Sequence, residues 1–153
     1  MERMFHGASA FNRPLHQWDV SKVTNMEWMF HSASRFNQPL VQWNVGNVTN
    51  MESMFTRASA FNQPLGQWKV GKVTTMYGMF WGASSFNRPL NEWDVSNVIN
   101  MYGMFHGASA FNQPLGQWDE KLDNLKYSYA IFDLSGMTYD HKPPRLRFSI
   151  FNF

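Results

Sequence analysis

The dipeptide Met-Phe stands at residues 4–5, 29–30, 54–55, 79–80 and 104–105, a period of 25 with no insertion or deletion. Ala8-Ser9, Phe11-Asn12, Pro14-Leu15 and Trp18 recur with it as far as Trp118. A fixed period of roughly 20 to 50 residues constrains the architecture before any local propensity does, because one such unit cannot bury its own apolar side and must lean on its neighbours. The repeat divides the chain into residues 1–118, five 25-residue units, and residues 119–153, a degenerate capping repeat with a C-terminal tail.

Two patterns alternate within a unit. Met26, Met29, Phe30 and Ala33 fall at i, i+3, i+4 and i+7, the spacing of one face of a short helix, and Thr24 with Glu27 and Thr49 with Glu52 fit a capping box at its start. In "PLHQWDV" Trp18 and Val20 alternate with Gln17 and Asp19, which predicts a short strand opened by a proline. The expected fold is therefore a right-handed β/α solenoid of the leucine-rich-repeat type, with a parallel sheet on its concave side and five coils closed by a C-terminal cap. Asn12, Asn37, Asn62, Asn87 and Asn112 are expected to form a ladder at one corner. Leu125, Tyr129 and Phe132 suggest a capping helix, and the alternation of Leu146, Phe148 and Ile150 with Arg145, Arg147 and Ser149 a terminal strand.

Residues that the scaffold does not dictate are the candidates for function. On the expected concave face run Gln17, Gln42, Gln67, Glu92 and Gln117, flanked by Asp19, Asn44, Lys69, Asp94 and Asp119, a polar strip suited to a peptide or a glycan. Trp28, Tyr77, Trp81 and Tyr102 fall off the core stripe and form a second candidate patch on the convex side, since exposed large aromatics mark contact surfaces. Catalysis has no such foothold. Ser9 and its equivalents recur in every unit as corner residues rather than as one activated nucleophile, and His6, His31 and His106 share a position with no carboxylate recurring beside them. No cofactor is implied, and the Thr24, Thr49, Thr74 row is interrupted by Ile99.

The string "VSKVTNMEWMFHSASRFNQPLVQWNV" resembles the BspA-like leucine-rich-repeat surface proteins, whose bacterial surface repeat is one residue longer, and the resemblance covers residues 1–118. It implies a non-enzymatic protein-interaction or adhesion module at a cell surface, with no catalytic residue to carry over. The alternative is a structural accessory subunit docked in a larger assembly, organellar or intracellular. Composition restricts the partner: 13 Lys and Arg against 11 Asp and Glu leave a net charge of +2, too small and too scattered for a nucleic-acid surface. The chain has no cysteine, hence neither disulfide nor thiolate chemistry, and no apolar run long enough for a membrane span. A protein partner is therefore expected, with a glycan as the second choice. Because Met1 stands at the phase of Met26, the edge of the first unit is expected to be covered by upstream repeats or by a neighbouring subunit.

Overall fold

The computed structural model describes residues 1–148 and is built of turns. Among these residues there is no α-helix and no strand. The regular structure is four isolated parallel bridges, Asn25 to Asn50, Asn50 to Thr75, Thr75 to Asn100 and Asn100 to Tyr127, and three 3-10 helices, Gly116–Lys121, Tyr139–His141 and Pro144–Leu146. The expected leucine-rich-repeat β/α solenoid with a parallel sheet is thereby overturned.

The hydrogen bonds of the methionine-rich segment give the reason. In the second unit the N–H groups of Met26, Trp28, Phe30 and Ser32 donate to the carbonyls of Asn50, Glu52, Met54 and Thr56 in the third. The alternate amides close tight turns instead, Met29 to Met26, His31 to Trp28 and Ala33 to Phe30. An α-helix would send every amide four residues back along its own axis. Here each second amide is turned toward the next unit, and two left-handed residues per unit do the turning. Arg3, Trp28, Ser53, Gly78 and Gly103 occupy the first such position with φ of 55°, 57°, 51°, 56° and 58°. Gly7, Ser32, Arg57, Gly82 and Gly107 occupy the second. In the second unit every amide from Met26 to Ala33 is thereby paired, that of Glu27 through the Asn25 side chain, as a buried backbone requires.

The expected strand is likewise a pair of turns. Trp18 donates its backbone N–H to Leu15 and Val23 to Val20, each three residues back, and the same two closures recur in the next three units. The fixed letters L-x-x-W and V-x-x-V are thus the ends of two β-turns rather than one face of a strand. The expected capping box is replaced as well. Asn25 and Asn50, not the threonines, accept the amides of Glu27 and Glu52 through Oδ1, both at 2.8 Å. The Thr49 hydroxyl donates to the Thr24 carbonyl of the preceding unit.

The core nonetheless uses the residues that the spacing selects. Met26, Met29, Phe30, Ala33, Phe36, Leu40, Trp43, Val45 and Val48 of the second unit are all buried, as are their counterparts in the third and fourth. Phe30, Phe55, Phe80 and Phe105 stack in one file with ring centroids 5.5 to 5.7 Å apart. Phe36, Phe61, Phe86 and Phe111 stack in a second file, about 4.1 Å from the first. Each stacked pair contributes roughly 0.5 to 1.5 kcal/mol beyond its buried area. At the corner the asparagine ladder is present: Oδ1 of Asn12, Asn37, Asn62 and Asn87 accepts the N–H of the next asparagine at 2.9 to 3.0 Å.

The C-terminal part departs from both expected elements. The carbonyls of Tyr127, Tyr129, Ile131 and Asp133 accept the amides of the fifth unit, so this segment is a further set of turns and not a capping helix. Asn100 bridges Tyr127 rather than Leu125, and the 3-10 helix Gly116–Lys121 takes up the two additional residues. The expected terminal strand is replaced over its first residues by the 3-10 helix Pro144–Leu146, and Ser149 and Ile150 lie outside the described residues.

Candidate functional site

With no sheet there is no concave strand face, and its ten candidate residues lie within the L-x-x-W turns, between the two β-turns, or in the 3-10 helix Gly116–Lys121. Gln17, Gln42, Gln67 and Glu92 are exposed inside the L-x-x-W turns, and Gln117 is exposed in the 3-10 helix that replaces the fifth. Asp19, Asn44 and Asp94 are occupied by the backbone: their Oδ1 atoms accept the amides of Ser21, Gly46 and Ser96 at 2.9 to 3.1 Å. The hydrogen bonds from Ser21 and Ser96 hold the Asp19 and Asp94 carboxyls below the usual carboxylate range. Asp119 accepts the Arg145 amide at 2.7 Å and so fastens the C-terminal segment. Lys69 is the exception, exposed and without the side-chain oxygen that accepts an amide at this position in the other units. An open groove of about 430 Å3 brings Gln67, Lys69, Glu92 and Asp94 together beside Trp68.

The aromatic candidates are half-buried on the face where the amides run between units, and they separate into two clusters. Tyr77 stacks on Tyr102 at 5.3 Å and 10°, and Trp81 lies 6.5 Å from Tyr102. Trp81 also covers Gly103, where the ring approaches so closely that a Cβ would fall 2.6 Å from it. Two members of this cluster escaped the sequence reading, His106 at 4.2 Å from Trp81 and Tyr129 at 5.7 Å from Tyr102. The readable signal was the register: His106 shares a repeat position with Trp81, and Tyr129 continues the row Tyr77, Tyr102 across the two inserted residues.

Trp28 is apart from these, two units before Trp81 and three positions earlier in the repeat. Its ring lies against His31 at 4.6 Å and 11° and against His6 at 5.4 Å, with the Arg3 guanidinium 5.1 Å above it. His6 and His31 are 4.9 Å apart, and the His31 Nδ1 shares a hydrogen bond with the Ser32 hydroxyl at 3.0 Å. Burial, then His6, then Arg57 lower the His31 pKa from its ordinary value. On the same face Glu27 and Glu52 stand in line, and burial followed by the Glu27 charge pushes the Glu52 carboxyl up. No group of three or more His, Asp or Glu side chains among the described residues is arranged to hold a metal ion.

The arrangement defines a class of repeat protein: closely spaced turns joined by backbone hydrogen bonds, with side chains of each repeat position aligned in rows. The chain belongs to the family described as "Mycoplasma protein of unknown function, DUF285", which matches residues 1–84 and again residues 63–136. No curated protein and no solved structure matches it. Among the described residues no helix is long and apolar enough to cross a membrane.

Proposed function

We propose that the chain is a non-enzymatic interaction module that holds a protein partner through the aromatic row of its fourth to sixth sets of turns. The observation that carries this reading is the change of character along one row. Glu2, Glu27 and Glu52 give way to Tyr77, Tyr102 and Tyr129 at the same repeat position, while the Met-Phe pair and the L-x-x-W turn of the first five units do not change. Rows whose members vary while the scaffold stays fixed are how repeat proteins build contact surfaces, and tyrosine and tryptophan are the residues that interfaces favour. Presentation at a cell surface, as an adhesion module, is the setting that the resemblance to BspA-like repeats supports.

The test is capture of partners from the native source by the wild-type chain and by Tyr77→Glu/Tyr102→Glu. Glu27 and Glu52 already occupy that repeat position, so the fold accommodates the change. A protein recovered by the wild type and lost with the variant supports the reading; equal recovery by both sinks it. Recovery of one discrete complex at fixed stoichiometry would turn the reading to that of an accessory subunit.

A further inference from the structure

We propose that the turns joining the first two units form an acid-sensitive latch, in which His6 and His31 hold Trp28 in place at neutral pH and release it when the imidazoles take up protons. The inference is independent of the aromatic row proposed for partner binding.

Trp28 is held in a conformation that its backbone resists. Its φ of 57° lies in the left-handed region, where a bulky side chain is strained, and the third, fourth and fifth units place Ser53, Gly78 and Gly103 at that position. The Trp28 Nε1 is enclosed and has no hydrogen-bond acceptor, so no polar contact offsets the strain. What remains is ring contact with His31 and His6 and the guanidinium of Arg3.

Protonation acts on those contacts. Of the nearby cations, Arg57 from the third unit acts on His31, and Arg3 from the first unit lies over the Trp28 ring. The carboxylates on this face are Glu2, Glu27 and Glu52. Glu2 and Glu27 lie 3.4 and 3.9 Å from Arg3, and Glu27 also accepts from the Asn50 amide at 3.3 Å. Among the described residues no carboxylate lies within ion-pair distance of either imidazole. Protons on both rings therefore place two cations 4.9 Å from each other, with Arg57 acting on His31 and the indole packed against both rings. The consequence falls on the seam between the units. Arg3, Phe5 and Gly7 donate across it to Glu27, Met29 and His31, the last bond, of 2.8 Å, ending on the latch residue itself. Opening frees these amides and uncovers the stacked pair Phe5 and Phe30.

The experiment is amide hydrogen exchange of the full 153-residue chain, read by NMR between pH 7.5 and 5.0. It compares Phe5 with Phe55, which follows a methionine likewise and donates to Met79 across a seam where Thr56 and Trp81 stand at the position of His6 and His31. The shared sequence cancels the intrinsic pH dependence. The ratio of Phe5 to Phe55 protection is expected to fall on acidification, by up to about tenfold for each unit by which His31 titrates below an ordinary imidazole. In His31→Thr, which copies Thr56 of the third unit, and in His6→Gln the ratio is expected to stay flat. A ratio constant with pH in the wild type, or a fall that persists in both variants, overturns the latch.

Discussion

The indole N–H of Trp68 donates to the carbonyl oxygen of Leu40, 28 residues back, at 3.0 Å, and Leu40 simultaneously accepts the backbone N–H of Trp43 at 3.1 Å. Trp43, Trp93 and Trp118 make the same bond to Leu15, Leu65 and Leu90. The leucine carbonyl thus closes its own turn and anchors the next unit, which explains why P-L-x-x-W is held constant while the residues between drift.

Trp68→Phe keeps most of the buried ring and removes the donor. It is expected to lower stability by about 1 to 3 kcal/mol, the cost of a buried hydrogen bond lost together with its partner's satisfaction. Trp43→Ala empties a buried aromatic site and is expected to cost about 3 to 5 kcal/mol. Trp18, which is 38% exposed, has no such acceptor, so Trp18→Phe should fall within about 0.5 kcal/mol of the wild type. Urea unfolding of the three variants checks the order; a Trp18→Phe cost equal to that of Trp68→Phe would contradict the anchor.

The asparagine ladder makes a second ordered prediction. Asn62 Oδ1 accepts the Asn87 amide at 3.0 Å, while the Asn62 amide donates to Asn37 at 2.9 Å. Asn62→Ala leaves the Asn87 amide without its acceptor and is expected to cost about 1 to 3 kcal/mol. Asn62→Asp retains an oxygen at the same place and should cost less at neutral pH. Thermal melts at pH 7 decide it: equal losses would mean that the amide contributes through its NH2 group and not through the ladder.

How much of this was legible follows from what the spacing encodes. Met26, Met29, Phe30 and Ala33 are buried as expected, because burial depends on which residues face inward and two linked three-residue turns put nearly the same letters inside as a helix does. The conformation was hidden in the same ambiguity. Gly78 and Gly103 at one repeat position, and Gly7, Gly82 and Gly107 at another, were the available signal, since glycines recurring inside a supposed helix mark left-handed backbone. In "PLHQWDV" an alternation of two was read where Leu15 with Trp18 and Val20 with Val23 show a spacing of three. Of the polar candidates, the exposed glutamines read correctly as surface. Asp19, Asn44 and Asp94 did not read as turn closers, because an Asx turn is decided by the local backbone and not by the repeat pattern.

Gly103 gives a sharp contrast with Gly78 at the same repeat position. Both have positive φ, 58° and 56°, so alanine at either is expected to cost about 1 to 2 kcal/mol from the left-handed backbone alone. At Gly78 the nearest neighbour of an added Cβ is the Ser53 hydroxyl at 3.3 Å, a group that can give way. At Gly103 it is the Trp81 ring at 2.6 Å, which must be displaced, adding roughly 1 to 3 kcal/mol of overpacking. Gly103→Ala should therefore be the more damaging and should shift the NMR signals of Trp81 and His106, whereas Gly78→Ala should leave the His106 signals in place. Equal costs with an unmoved Trp81 would contradict the observed contact.

Glu52 carries the last prediction, and its sign is fixed by the direction of its shift. Burial, reinforced by Glu27, raises the folded-state pKa above the unfolded value of 4.5, so the folded protein holds the proton more tightly than the unfolded chain. Stability from this group is complete below the unfolded pKa and is lost as pH rises through the folded one, leaving the ionised side chain a net cost at pH 7. Glu52→Gln is isosteric and cannot ionise. It is expected to raise the urea midpoint at pH 7 and to leave it unchanged at pH 3.5, with the gain appearing as pH climbs from about 4.5. Glu27→Gln, by removing the neighbouring charge, should reproduce part of that gain but also weaken the contact with Arg3 at 3.9 Å, so its net effect at pH 7 should be smaller than that of Glu52→Gln. A Glu52→Gln gain that is the same at pH 3.5 and pH 7 would show that the two carboxylates do not strain this face through their charge.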